Sequence, residues 1–160
     1  MKEIQVTATV QLFDDIDELP AQAKQLMLQA IEARKKAYAP YSKFRVGAAL
    51  SLDNGEIITG NNQENAAYPS GLCAERVAIY YAGAQYPDAK VLSIAITAAS
   101  STTQVNEPIS SCGSCRQSIA EYEQKQKSPI AIYFMGELGK VAKVNSLKDL
   151  LPLGFDNSFL

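Results

Sequence analysis

The sequence predicts an α/β domain, a three-layer α/β/α sandwich with a mixed central sheet. Three observations predict it. Stretches of helical character alternate with short apolar runs, the order expected when helices cover a central sheet. Asp53-Asn54-Gly55, between two strand-like runs, is a strong hairpin signal that makes part of the sheet antiparallel. The near-continuous apolar run 91–98 has the composition of a strand covered on both faces. With 160 residues, 47% apolar and 20% charged, the chain is sized for one core, read as a strand-like extension over 1–20 and a single domain over 21–160.

The elements follow in order. Ile4, Val6, Ala8, Val10 and Leu12 alternate with polar residues, which predicts a strand with one buried face. It pairs either with a sheet edge or with a neighbouring subunit, and its sequence leaves both open. After the acidic turn 14–20, Ala23, Leu26, Met27, Ala30, Ile31 and Ala37 share one helical face until Pro40 stops the pattern, and Arg34-Lys35-Lys36 reads as the solvated face of that helix. Val46, Ala48, Leu50 and Leu52 alternate, and 56–62 returns antiparallel through the D-N-G turn. A helix over 73–84 leads to the strand 91–98. A loop containing Pro108 leads to a second such unit, with a helix over about 113–127 and a strand at 130–135. The tail adds a strand at 141–145 and a short helix at 147–151.

Composition excludes several classes of function. A net charge of -2 gives no footprint for phosphate backbones or anionic membrane. There is no histidine, so Ser-His and Cys-His nucleophile pairs and imidazole metal ligands are excluded, and proton transfer falls to carboxylates, lysines, tyrosines or water. Three cysteines cannot build a paired disulfide framework, which predicts a reducing compartment. The first twenty residues lack the basic start and apolar stretch of a signal peptide, and no run reaches the roughly 18 apolar residues of a membrane span. The expectation is a complete cytoplasmic protein.

All three cysteines sit at the starts of predicted helices, Cys73 in C-A-E-R and Cys112 with Cys115 in C-G-S-C-R-Q. A helix N-terminus favours thiolate, and the i, i+3 spacing puts the second pair on one side of the first turn. If the two helices lie side by side, Cys73 becomes a third ligand of a tetrahedral Zn²⁺, one ion per chain, with its fourth position open to water. Thiolate softness favours zinc over iron. Two other readings compete: a C-x-x-C redox dithiol, which has no need of a third cysteine, and a structural zinc, for which the chain lacks a fourth side-chain ligand.

The motifs Y-S-K-F-R-V-G-A-A-L at 41–50, G-N-N-Q-E-N-A-A-Y at 60–68, C-A-E-R at 73–76, C-G-S-C-R-Q at 112–117 and L-L-P-L-G-F at 150–155 occur in one order. Together they resemble the zinc-dependent cytidine deaminases of the small-chain, homotetrameric type. Zinc deaminases pair such a ligand set with a glutamate that is not a ligand. The resemblance therefore implies Cys73, Cys112 and Cys115 as zinc ligands, Glu75 as the proton shuttle, and hydrolytic deamination of cytidine and 2'-deoxycytidine to uridine and ammonia in pyrimidine salvage. It implies a homotetramer with shared active sites, in which Phe155 reaches a neighbouring subunit's site.

Asn62 and Glu64, two apart on a strand, project together, and the resemblance assigns them to the ribose 3'-hydroxyl. Glu64 also disfavours phosphorylated substrates. Phe44, Tyr68 and Ala74 are further substrate-binding candidates; Phe44 and Tyr68 are equally readable as ordinary core. Asn65 is expected to fix the loop backbone. Arg76 and Arg116, beside the ligand cysteines, are expected to offset the net negative charge of three thiolates on Zn²⁺, Arg76 by hydrogen bonds to sulfur. The chain departs from the family pattern at Ser111, where the family has proline, and in its N-terminal extension. Competing functions are deamination of a nucleoside-like antibiotic such as blasticidin S, and a catalytically silent zinc-binding oligomerisation module; DNA or RNA editing is disfavoured by charge.

Overall fold

A computed structural model describes residues 1–160. Six strands, β1 (Gln11–Phe13), β2 (Phe44–Leu52), β3 (Ile57–Asn61), β4 (Val91–Ser100), β5 (Ala131–Met135) and β6 (Val141–Val144), form one sheet in the order β1-β6-β5-β4-β2-β3. Three helices, α1 (Ala21–Lys35), α2 (Ala74–Gln85) and α3 (Gly113–Gln126), cover it, with short 3-10 turns between elements. Only β4 and β5 pair in parallel, so the sheet is mixed as expected.

The D-N-G turn closes the β2–β3 hairpin with Gly55 at φ 89, a conformation open to glycine, and Asn54 Oδ1 accepting the Glu56 N–H at 3.0 Å. Because β2 is antiparallel to both β3 and β4, the links β3–α2–β4 and β4–α3–β5 are both crossovers, and both step the same way along the sheet. Crossovers share a right hand, so α2 and α3 must lie on the same face. They do: Ala74, Ala78, Ile79, Ala82 and Ile119 pack on Leu50, Ile94, Ile96, Ile132 and Val144 in the larger core. The smaller core forms across the sheet, where Ala23, Leu26, Met27 and Ala30 of α1 meet Ala49, Ala95 and Tyr133. The alternating direction of strand side chains divides the two cores.

Three expectations need correcting. Arg34 is not on a solvated face; it is buried, donating to Thr97 Oγ1 at 2.6 Å and to the Ala98 carbonyl at 3.4 Å. It lies four residues after Ala30 on the inward stripe of α1, and a guanidinium there can be buried because acceptors meet it. Desolvation lowers its pKa from the ordinary arginine value. The N-terminal strand is the second. Its ladder is only Gln11–Phe13 opposite Lys143–Val141, and its alternating apolar face lies exposed. The partner β6 is four residues long, so 1–10 run past the end of their neighbour. The predicted helix at 147–151 is a single 3-10 turn, Leu147–Asp149.

Candidate metal centre and active site

Equal crossover direction also places the N-termini of α2 and α3 at the same end of the sheet, beyond the C-terminal ends of β3 and β4. How closely α2 seats on β3 is set by Gly60: a Cβ there would lie 2.5 Å from the Ala74 carbonyl oxygen and 2.7 Å from the Ala78 nitrogen, both backbone atoms that cannot swing away. Cys73 is the N-cap residue of α2, Cys112 that of α3, and Cys115 falls in the first turn of α3. The three Sγ atoms all lie within 4.8 Å of one another, with Cys73–Cys112 at 4.0 Å and Cys112–Cys115 at 3.5 Å. Zinc–sulfur bonds of about 2.3 Å in tetrahedral geometry put sulfurs roughly 3.8 Å apart, close to the two spacings found, so the cluster is suited to one zinc ion. No other His, Cys, Asp or Glu joins the group, which leaves three ligands and one open coordination position.

The sulfurs sit in positive surroundings. Arg76 Nη2 donates to Cys73 Sγ at 3.6 Å. Hydrogen bonding to Cys115, with help from the Arg76 guanidinium, draws the Cys73 thiol down to about 5. Cys115 is fully buried and shifts the other way, held protonated by its bond to Cys73 and by desolvation. Metal binding to thiolates releases their protons, so a dication in this cluster would compete with protons for the sulfurs. Arg116 does not turn to the sulfurs. Its Nε donates to the Ser111 carbonyl at 2.8 Å, Nη1 to the Leu150 carbonyl at 2.7 Å and Nη2 to Ser110 Oγ at 3.1 Å, which ties the strand of chain entering Cys112 to the C-terminal tail.

Glu75 occupies the first turn of α2 and is only 4% exposed, and burial raises its carboxyl pKa above the ordinary range. Close to it lies Ser111 Oγ, buried and with no partner at hydrogen-bond distance, yet near enough to draw the Glu75 carboxyl back down in part. A buried carboxyl beside an orphaned hydroxyl and an open metal position is a pocket prepared for a polar guest. Ser111 drew notice in the sequence only as a missing proline.

Asn62 and Glu64 both reach back to the segment entering β2. Asn62 Oδ1 accepts the Val46 N–H at 2.7 Å and its Nδ2 donates to the Phe44 carbonyl at 2.9 Å. An amide has two donors and two lone pairs, so half of its capacity stays free. Glu64 Oε2 accepts the N–H groups of Tyr41 at 2.9 Å and Ser42 at 3.3 Å, and Oε1 accepts the Ser42 hydroxyl. These bonds, the Ser42 hydroxyl foremost, hold the Glu64 carboxyl below the usual carboxylate range. No local signal in the sequence marks Ser42 for this role, because it acts across 22 residues.

Asn65 Oδ1 accepts the Ala67 N–H at 2.8 Å and fixes the loop. Ala74 is fully buried under Gly60, and Phe44 is half-buried at the start of β2. Tyr68 is 91% exposed, which excludes the core reading. Phe155 is 58% exposed; it stacks on Phe159 at 5.7 Å, and its carbonyl accepts from Gln117 Nε2. Cys112 is exposed as well, so in a single chain the outer side of the metal centre is uncovered. No helix is long and apolar enough to cross a membrane.

The model of the family described as "Cytidine and deoxycytidylate deaminase zinc-binding region" matches residues 20–129, which includes all three cysteines and Glu75. A cytidine deaminase of Halalkalibacterium halodurans is 37% identical over 132 residues, 81% of this chain and 91% of its own. One of Sporosarcina psychrophila is 37% identical over 146 residues, covering 91% and 95%. Among solved structures, the cytidine deaminase of Burkholderia pseudomallei superposes with a TM-score of 0.71 at 36% identity, over 86% of this chain and 100% of that one. That of Mycobacterium tuberculosis gives 0.65 at 29% identity over 86% and 99%. The match covers well over half of the chain and carries the cysteine cluster with it: this chain belongs to the cytidine and deoxycytidylate deaminase zinc-binding family.

Proposed function

We propose that this chain deaminates cytidine and 2'-deoxycytidine hydrolytically, giving uridine or deoxyuridine and ammonia, in cytoplasmic pyrimidine salvage. The observation that carries the reading is a buried glutamate, Glu75, beside three sulfurs that fit a zinc ion and leave it one open position. A zinc ion held by Cys73, Cys112 and Cys115 supplies a Lewis-acid position at which water becomes nucleophilic towards C4 of the pyrimidine. Glu75 would move the protons: its carboxylate takes one from the attacking water and passes it to N3, then takes the second from the hydroxyl added at C4 and delivers it to the 4-amino group, which leaves as ammonia while the C4 carbonyl forms. Burial favours this, since a raised pKa makes the carboxylate a stronger base towards the attacking water.

Arg76 offsets the charge of three thiolates through its contact with Cys73. The free N–H of Asn62 and the remaining lone pairs of Glu64 suit a ribose hydroxyl, and the Glu64 charge disfavours a phosphate there. The substrate is then the nucleoside. Phe44, Ala74 and Tyr68 line the approach, and the uncovered outer side of the centre supports a homotetramer in which Phe155 of one subunit closes a neighbour's site.

Zinc content and ammonia release, measured on cytidine, deoxycytidine, cytidine monophosphate, blasticidin S and single-stranded DNA, test the reading. Expected are one zinc per chain and turnover of the two nucleosides well above the rest. A zinc-replete protein that releases no ammonia from either nucleoside overturns it.

A further inference from the structure

The N-terminal segment lies outside the family match, which begins at residue 20, and 86% of this chain already spans the whole Burkholderia pseudomallei enzyme. Its structure leaves it unfinished. Only the N–H of Thr9, bonded to Asp149 Oδ1 at 3.2 Å, has a partner among the backbone groups of 1–10. Ile4, Val6, Val10 and Leu12, on one face, are 73%, 52%, 47% and 64% exposed. β1 pairs with β6 along one edge, and its other edge is open. Phe13 packs towards the α1 core, so the even-numbered residues face the α3 side, where Val6 lines a cleft of about 710 Å³ with Leu147, Leu151 and Phe155. An open apolar edge of this kind is a ready template for pairing with another chain.

The order of its residues identifies the partner. Residues 4–12 read I-Q-V-T-A-T-V-Q-L, which runs almost the same in both directions about Ala8. A two-fold interface is self-complementary: residue i of one copy meets j of the other, and j meets i. We propose that 4–12 pairs antiparallel with the same residues of a second copy of this chain, about a two-fold axis through Ala8. Residue i then faces 16 − i. Val6 meets Val10 and Ile4 meets Leu12 on the apolar face, while Gln5 meets Gln11 and Thr7 meets Thr9 on the polar one, all favourable cross-strand pairs. At the ends Lys2 meets Asp14, two opposite charges that have no ion-pair partner within the chain. The strand order keeps the apolar residues of both copies on one face, since the register pairs even with even. This contact is additional to the family domain and does not rest on the assignment of the reaction.

Cysteine cross-linking of the full-length zinc protein tests partner and register together. Residues directly opposite in an antiparallel pair have Cα atoms roughly 4.5–5.5 Å apart, within disulfide reach. Ala8→Cys, which faces itself across the axis, should pass mostly into a disulfide-linked dimer under mild oxidation. Val6→Cys and Val10→Cys singly place each sulfur about 13 Å along the strand from its copy and should stay uncrosslinked, whereas the double variant should link. All are exposed positions outside the residues assigned to the zinc site, so zinc content reports folding. Failure of Ala8→Cys to link in a zinc-replete protein, or linking of single Val10→Cys as readily as Ala8→Cys, overturns the proposal. Loss of turnover with linking intact would count against the reaction and leave the contact standing.

Discussion

Glu75 and Arg76 are neighbours in sequence with opposite tasks: the first is buried at 4% exposure, and the second reaches the Cys73 sulfur at 3.6 Å. Arg76→Gln should keep the fold, weaken zinc retention against a chelator and slow turnover by about 10–100-fold, the usual cost of losing a group that tunes a metal ligand. Unchanged chelator resistance and rate would show that Arg76 does not act through the sulfur. For Glu64, the lowered carboxyl pKa fixes the sign of a pH effect. Its bonds to Ser42 and Tyr41 stabilise the fold above the ordinary carboxylate range, near pH 4.3, and are lost as pH falls through the lowered value. Thermal melts of the parent and Glu64→Gln should differ by a constant amount above about pH 5 and converge below it; a difference independent of pH contradicts this. Cys73 with Glu75, and Cys112 with Cys115, were legible as two local motifs, and joining them across 39 residues took the expectation of neighbouring crossover helices. Arg34 and Ser42 were not, since what makes each of them matter is an acceptor or donor supplied from 22 or more residues away.

The elements were legible wherever periodicity was backed by a boundary signal. Pro40, the D-N-G turn and the cysteine-bearing helix starts each bounded an element to within a few residues, and the apolar run at 91–98 is the central β4. The N-terminal strand shows the limit: alternation reports a strand's two faces but not whether the chain holds a partner long enough to pair with it, and β6 ends after four residues. The seat of α2 on β3 was equally hidden, because Gly60 is one glycine among nine until the Ala74 backbone is found 2.5 Å from its absent Cβ. Gly60→Ala must push the start of α2 outward, carrying Cys73 and Glu75 with it. Overpacking of this kind costs roughly 1–3 kcal/mol, a fall of about 2–12 °C in melting temperature for a domain of this size. The melt should be accompanied by weaker zinc retention; an unchanged melting temperature would show that the helix has room to shift.

For the whole molecule, the exposure of Cys112, Tyr68 and Phe155 makes the isolated chain an incomplete enclosure for a nucleoside. Phe155→Ala should therefore raise KM for cytidine with little loss of zinc, and dilution below the dissociation range of the assembly should lower specific activity. A KM indifferent to both changes would mean that one chain closes its own site. Composition sizes the chain for one core, while whether a neighbouring subunit closes the site is a matter of surfaces, which periodicity does not describe. The central claim is that Glu75 moves protons at a zinc centre built by three cysteines. Its most direct test is ammonia release from cytidine by the parent and by Glu75→Ala, with zinc quantified in both. The account predicts one zinc per chain in each protein and a rate at least about 100-fold lower in the variant. Equal rates in two zinc-replete proteins would contradict it.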